Sequence, residues 1–406
     1  MNWFARFLRP SASAGASSSV YDESGWFVRL LGFGKTKAGV TVSHYNAITM
    51  PAVWACITLI ADTISQLPLD LYQRTGRRKD LITDHPIVPL LSGLANPRMG
   101  TSRWINTQQG HVLGWGNGYA EIQITNRGEP IAIWPLLPDR TAPDTTWLDE
   151  RGAMRYLVTV DGKQHSVPSE RIIHIKGFSW DGILGLSPIS QARHAIGLGL
   201  AMEEFGSKFF SNDAKSGGFL LHPGKLSPKA KENIRDSLTE AGGGLEDAHR
   251  IKILEEGMKY IPTTINPEDS QFLESREFQI AEIARMFRVP LVLINSHQKD
   301  TAWGTGIEQL MIGFVQWTIG PWVKCWEEEL NRKLLTEEER DNGFFIKFNL
   351  NAILRGDMAA RASFYEKALD PEKGWMTRDE VREKEDLNPL GESQRPVLPE
   401  DDDAQV

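Results

Sequence analysis

Residues 266–290, 291–306 and 307–335 read NPEDSQFLESREFQIAEIARMFRVP, LVLINSHQKDTAWGTG and IEQLMIGFVQWTIGPWVKCWEEELNRKLL, and their periodicities decide the architecture. Asn266 is a helix N-cap, Pro267 suits the first turn, and Glu268 and Asp269 face the positive end of the helix dipole. Leu273, Ile280, Ile283, Ala284 and Phe287 keep helical spacing until Pro290 stops it. The loop from Asn295 to Gly306 is polar. A second, long helix follows, carrying Ile307, Met311, Phe314, Trp322, Trp326, Leu330 and Leu334 on its apolar side, and Gly320-Pro321 is expected to kink it. Two helices around a polar loop form the working part of the chain.

Upstream, Gly218 to Leu221, a helix from Ser227 to about Ala241, and the strand-like runs Arg250 to Leu254 and Met258 to Pro262 read as a small α/β lobe inserted at 214–265. The other stalk of that lobe is a helix from Ser187, with Pro188 in its first turn, through Ala192, Ile196, Leu200 and Glu204 towards Phe210. Gly197, Gly199 and Gly206 would weaken it alone by roughly 1 kcal/mol each, so close packing against a neighbouring helix or subunit is expected. Before it, Val53, Ile57, Ile60, Ala61 and Ile64 mark a helix from Pro51, and Pro68 precedes a strand at Leu69 to Gln73. Helix signals after Thr101 fade past Leu113. Short β-rich runs follow at Tyr119 to Thr125, Ile131 to Leu136, Tyr156 to Val160 and Arg171 to Ile175, with turns at Asn126-Arg127-Gly128 and Asp161-Gly162. They predict a small antiparallel-rich α/β domain.

Downstream, Phe344 to Leu350 reads as a strand, Asp357 to Leu369 as a helix, and Thr377 to Glu385 as another, with Glu380 at the capping-box position. Residues 11–19 are all Ser, Ala or Gly, and Glu400 to Asp403 are four consecutive acids in a Pro-rich end, so a flexible arm and a disordered tail are expected.

The 406 residues, 41% hydrophobic and 24% charged, suit a folded protein of two or three compact units. A net charge of -8 argues against a tight grip on nucleic acid, which needs a basic excess. A conduit along which a polyanion slides gains from the same balance. Cys56 and Cys325 stand apart with no metal-ligand spacing, which fits a reducing compartment. No secretion signal is read at Met1 to Pro10, and the most apolar run, Ala52 to Leu67, is too short and too polar to span a bilayer.

Candidate chemistry reduces to mimics. Gly34-Lys35-Thr36 resembles the end of a phosphate-binding loop, but Arg29 replaces its first glycine. Gly114, Gly116 and Gly118 stand ahead of a strand and read as a tight turn. The histidines are scattered singly, and Glu203-Glu204 and Glu327 to Glu329 read as solvated or intersubunit faces. Trp317, Trp322 and Trp326 could stack single-stranded nucleic acid, but only Lys324 accompanies them, so core packing is the better reading. No catalytic, metal or cofactor site is predicted.

Several segments in fixed order resemble the portal proteins of tailed bacteriophages, of the HK97 type, over nearly the whole chain. They are VWACITLIADTISQLPLDLY at 53–72, GNGYAEI at 116–122, WPLLPDR at 134–140, DGILGLSPI at 181–189, FLESREFQIAEIARMFRVP at 272–290, the run from Ile307 to Leu335, and FNLNAILRGDMAARASFYEKAL at 348–369. The resemblance implies an α+β portal fold: a flexible arm (1–25), an α/β wing (26–186), stem helices (187–213 and 266–294), a small α/β clip (214–265) and a tunnel loop (295–306). A long kinked wing helix with a strand (307–356), a short helical crown (357–392) and an acidic tail (393–406) complete it. It further implies a dodecameric ring at one capsid vertex, in the virion and, during assembly, in the host cytoplasm. Double-stranded DNA passes through it. Its implied partners are the terminase large subunit, the major capsid protein or scaffold, and head-completion or tail adaptor proteins, with no membrane and no cofactor. Ser296, His297, Gln298, Lys299, Asp300, Thr301 and Trp303 of the loop are then the residues that border DNA. Two departures, Ser211-Asn212-Asp213 in place of a glycine-containing turn and an apolar stretch after Val289-Pro290, blur the boundaries. Another ring-forming adaptor or baseplate subunit is the main alternative, and a hydrolase or nucleotide-dependent enzyme with an unrecognised site is a more distant one.

Overall fold

A computed structural model describes residues 34–76, 78–148, 153–211, 218–221, 224, 228–229, 259–262, 270–294, 305–350, 358–370, 374–385, 387–388 and 390. The N-terminal arm, most of the inserted lobe, the N-cap at Asn266, the loop 295–304 and the acidic tail lie outside the described residues. The chain divides into two compact units, one comprising 1–31, 55–188 and 287–406, the other 32–54 and 189–286.

The larger unit is built on antiparallel sheets, as the β-rich runs predict. One places strand Asn117–Ile124 between Ile172–Lys176 and Pro130–Leu136. A second places Met154–Val160 between Thr141–Leu148 and Lys163–Pro168. Neither outer strand of this second sheet was expected. TAPDTTWL carries Pro143 and Asp144, and KQHSVP buries only Val167 at its fifth position, so neither shows the alternation of a half-buried strand. Both are edge strands, where proline and polar side chains are tolerated. Asp161 and Gly162, both with positive φ, make the two-residue turn between Met154–Val160 and Lys163–Pro168. Tyr119, Leu136, Tyr156, Val158, Val160, Val167 and Ile172 form one apolar cluster across these two sheets. A third sheet places Leu69–Thr75 between Phe344–Phe348 and Arg78–Leu81, pairing residues some 270 positions apart in sequence.

The helix Pro51–Ser65 forms where its spacing predicts, and Val53, Ile57, Ile60, Ala61 and Ile64 are all buried. Helix Thr101–Trp115 ends on Gly116, whose φ of 80° closes the last turn through its N–H to the Val112 carbonyl. The tight-turn reading of this glycine cluster is therefore correct, and a Cβ on Gly116 would stand 2.4 Å from the Leu186 oxygen.

In the smaller unit, Gly34–Lys35 is a strand of a hairpin with Thr41–Val42, and Thr36 is buried with its hydroxyl donating to the Val40 carbonyl at 2.8 Å. A phosphate-binding loop would open a helix there, and this one closes a turn. The helix expected from Ser187 is a short turn, Pro188–Gln191, followed by Arg193–Ser211. Its glycines find their reason within the chain: added Cβ atoms would lie 2.5 Å from Thr36 at Gly197 and 2.4 Å from Met50 at Gly199. Strands Gly218–Leu221 and Lys259–Pro262 pair antiparallel at the base of the inserted lobe.

Gly116→Ala is expected to lower stability by about 2 kcal/mol or more, since it adds a clash to a left-handed backbone. Denaturant unfolding followed by tryptophan fluorescence would read it.

Candidate functional site

The residues expected to line a channel, Ser296, His297, Gln298, Lys299, Asp300, Thr301 and Trp303, lie outside the described residues. What the structure describes is how the chain enters and leaves that segment. Helix Ser270–Phe287 stops because Pro290 cannot continue it; Arg288 takes a left-handed φ of 57°, a position usually given to glycine. The strained carbonyl of Arg288 accepts a 2.7 Å bond from the Thr318 hydroxyl. Val289 is buried, and Leu291–Ile294 forms one 3₁₀ turn with the Leu293 N–H on the Pro290 carbonyl. None of Leu291–Ile294 is buried and Val292 is 38% exposed, so what holds the chain here is Val289 and the bond from Thr318 to Arg288.

On the far side the chain becomes helical at Thr305–Phe314, one residue before the predicted loop ends, and continues through Gly320–Leu334. Between them Val315–Ile319 is a π-helical turn in which the Gly320 N–H reaches back five residues to Val315. Pro321 has no N–H to give the Trp317 carbonyl, so the hydrogen-bond ladder is re-registered just ahead of it. This is the form the expected kink takes, and Thr318, which holds Arg288, sits in the π turn.

The buried stripe of this helix runs through Val315, Ile319, Val323, Trp326, Leu330 and Leu334. Met311 and Trp317 are exposed, so the apolar face is rotated from the predicted one, which included Met311. Trp326 is fully buried, packs edge-on against Trp104 at 5.3 Å, and donates its indole N–H to Gln109 Oε1 at 2.8 Å. It is a core residue, as the sequence favours, whereas Trp317, for which core packing is also the better sequence reading, is 67% exposed because the buried stripe passes on the other side of the helix.

The carboxylates Glu327 and Glu329 require a correction, because they are not solvated faces. Glu327 accepts the Phe348 N–H at 2.9 Å, and Asn331, one turn on, accepts the Ile346 N–H at 2.7 Å and donates to its carbonyl at 2.9 Å. The helix thereby satisfies the open edge of strand Phe344–Phe348. Four residues of helix rise about 6 Å and two of strand about 6.6 Å, so the i,i+4 pair matches alternate strand groups. On the other sheet, Glu329 is buried and accepts the His174 N–H at 3.0 Å, while Arg332 places Nε and Nη2 on its second oxygen at 2.9 and 2.6 Å. Burial pushes the Glu327 carboxyl above its ordinary value. No sequence motif marks these contacts; the signal that could have found them is Glu327 and Asn331 at i,i+4 ahead of a strand.

Around His174 the interior is polar and closed. Asn117 donates to the Gly185 carbonyl at 2.8 Å, and its Oδ1 accepts the Gly185 N–H at 2.8 Å and the His174 ring Nε2 at 3.0 Å. Nε2 therefore carries the proton and Nδ1 accepts the Tyr156 hydroxyl at 3.1 Å. Burial, and then the positive charges of Lys176, Lys333 and Arg332, hold the imidazole well below its ordinary pKa and so neutral. Burial also raises the nearby Glu121 carboxyl to about 7 against the opposing pull of Arg171, 3.1 Å away. Among the described residues no group of three or more His, Cys, Asp or Glu could hold a metal ion, and no helix is long and apolar enough to cross a membrane.

Glu329→Ala would strip acceptors from the His174 N–H and Arg332 together and is expected to cost about 2 kcal/mol, with Glu329→Gln milder. Chemical denaturation of both variants would read the difference.

Comparison with known proteins gives one answer. A family model described as phage portal protein matches residues 51–386. The chain is 34% identical over 364 residues to the probable portal protein of Streptomyces phage phiC31, covering 87% of this chain and 78% of that one. It is 31% identical over 353 residues to the portal protein of Enterobacteria phage HK97, covering 86% and 81%. In fold it is similar to the neck of a native gene transfer agent particle computed with C12 symmetry, at a TM-score of 0.59 and 23% identity over 93% and 97% of the two chains. It is likewise similar to an HK97-family phage portal protein from Corynebacterium diphtheriae, at a TM-score of 0.56 and 18% identity over 77% and 96%.

Proposed function

The chain belongs to the phage portal protein family, and on that footing we propose that its copies close into a dodecameric ring at one capsid vertex, through whose bore double-stranded DNA is packaged and later ejected. The observation that carries this is the family match across 51–386, which spans the β-rich unit, the inserted lobe and both helices around 295–304 rather than one module. A different ring-forming adaptor or baseplate subunit is not favoured by so extended a match. The family is structural, and the ring is a component of the virion, assembled in the host cytoplasm.

The roles of the segments follow from that reading. Residues 26–186 form the wing, 187–213 and 266–294 the stem, 214–265 the clip that meets the terminase large subunit, and 357–392 the crown. The major capsid protein or scaffold surrounds the ring, and head-completion or tail adaptor proteins attach later. The loop 295–306 borders DNA with Ser296, His297, Gln298, Lys299, Asp300, Thr301 and Trp303. What supports its role is its two ends: Thr318 holds Arg288 on the entry side, and the exit runs on through the π turn into the helix that buries Val323, Trp326 and Leu330, both in one unit. A loop between fixed ends holds its position at a bore. A net charge of -8 lets a polyanion pass without being trapped.

Electron microscopy of the purified protein should show rings with an open centre and twelvefold symmetry, the symmetry with which the similar neck was computed. A monodisperse monomer at every concentration and salt would overturn the proposal. In a packaging assay, the double variant Gln298→Ala, Lys299→Ala should still assemble but package more slowly or to a shorter length. Unchanged rate and length would remove the loop from contact with DNA.

A further inference from the structure

In the smaller unit, helices Arg193–Ser211 and Ser270–Phe287 run antiparallel, for Gln279 donates to the Ala195 carbonyl at 2.7 Å and Arg276 stands 4.0 Å from Glu203. A Cβ at Gly199 would lie 3.4 Å from the Gln279 Cγ, so the line of contact runs through Ala195, Gly199 and Gln279. Each residue turns an α-helix by about 100°, and in an antiparallel pair the residue just before that line comes out on the same side of both helices. Those residues are Leu198 and Phe278, 46% and 58% exposed, at one level of the pair. A single exposed leucine means little, but an aliphatic and an aromatic side chain set together on two mutually fixed helices form an apolar knob. Glu282, one turn on from Phe278, is already paired with Arg285 and brings no lone charge into an apolar contact.

The opposite side of the same pair, reached by Glu203 and Ile280, holds a groove of ≈ 70 Å³. Met50, Pro51, Ala52, Met202 and Ile280 line it. Its polar neighbours are engaged across the pair, Gln279 with Ala195 and Arg276 with Glu203, so what the groove offers is an apolar seat. Gly199 keeps its floor closed, since an added Cβ would stand 2.4 Å from the Met50 Cε. Knob and groove look away from each other. One copy cannot bring its knob to its own groove, and a twofold pair of copies cannot engage both faces at once. A head-to-tail repeat satisfies every copy, and it closes into a ring when the rotation per step divides the circle.

We propose that Leu198 and Phe278 of each copy dock into the groove formed by Met50, Pro51, Ala52, Met202 and Ile280 on the next copy, and that this head-to-tail contact closes the ring. The proposal rests on the portal reading, which calls for a ring and leaves the touching surfaces open. A central aromatic anchor in an apolar seat is the kind of contact that carries most of an interface's energy.

The test begins with the double variant L198D/F278D in the full chain. Neither side chain is buried in the single copy, so the midpoint of chemical unfolding should stay with that of the unaltered protein. The yield of rings in electron microscopy and sedimentation should fall at least about tenfold. Rings at the unaltered yield overturn the proposal. A second measurement keeps both surfaces apolar: Met202→Cys together with Phe278→Cys, treated with a short bismaleimide and then denatured. A ladder of covalent oligomers extending past the dimer is expected, and neither single cysteine variant should give it. A ladder that stops at the dimer overturns the proposal, because it reports a twofold contact. Rings without any ladder overturn this contact and leave the portal reading standing, whereas the absence of rings in the unaltered protein overturns both.

Discussion

Among the described residues, two sheets of the larger unit end in strands with no strand on their outer edge, Ile172–Lys176 and Phe344–Phe348, and one helix bonds to both. Glu329 takes the His174 N–H of the first, and Glu327 and Asn331 take the Ile346 and Phe348 N–H groups of the second. A buried N–H left without an acceptor costs about 1–3 kcal/mol, so three such groups together rival a large part of a domain's net stability. Helix Gly320–Leu334 is therefore more than packing. It fixes two sheets with carboxylates and an amide where a β protein would use another strand, and Arg332 donates to the second oxygen of the buried Glu329.

That helix also governs the segment expected to border DNA. Pro321 forces the π turn, the π turn carries Thr318, and Thr318 holds the left-handed Arg288 at the close of helix Ser270–Phe287. The same stretch continues without interruption from the helix that begins at Thr305. The described residues on both sides of 295–304 thus belong to one compact unit. Closing a short loop between points already fixed costs little further entropy, and a residue in such a loop can bear load without displacing the ends.

The sequence made the apolar framework legible and left the polar one hidden. Val53, Ile57, Ile60, Ala61 and Ile64 are buried where helical spacing places them, because apolar burial follows spacing. The helix stop at Pro290, the capping box of Thr377 with Glu380, and the turn glycine Gly116 follow from backbone chemistry that any context respects. Edge strands Thr141–Leu148 and Lys163–Pro168 escaped because Pro143, Asp144 and the polar run Lys163 to Ser166 hide any apolar alternation in their sequences. Glu327 and Glu329 were read as surface because a carboxylate's partner, here 21 and 155 residues away, leaves no local mark. The loop residues Ser296 to Trp303 were named through likeness to a family, and the described residues give their anchors only.

The set Asn117, His174 and Tyr156 tests whether a mechanical reading is sufficient for this interior. Histidine between a hydroxyl and an amide resembles a proton relay, and a relay needs a ring nitrogen that can exchange with a reacting group. Here Nε2 donates to Asn117 and Nδ1 accepts from Tyr156, the ring is only 2% exposed, and surrounding cations oppose protonation. No nitrogen is left for a substrate. The geometry instead ties strand Ile172–Lys176, through Asn117, to the backbone of Gly185 just ahead of Pro188. A neutral histidine with both nitrogens committed is a joint of the core, holding strand and loop together rather than offering a proton.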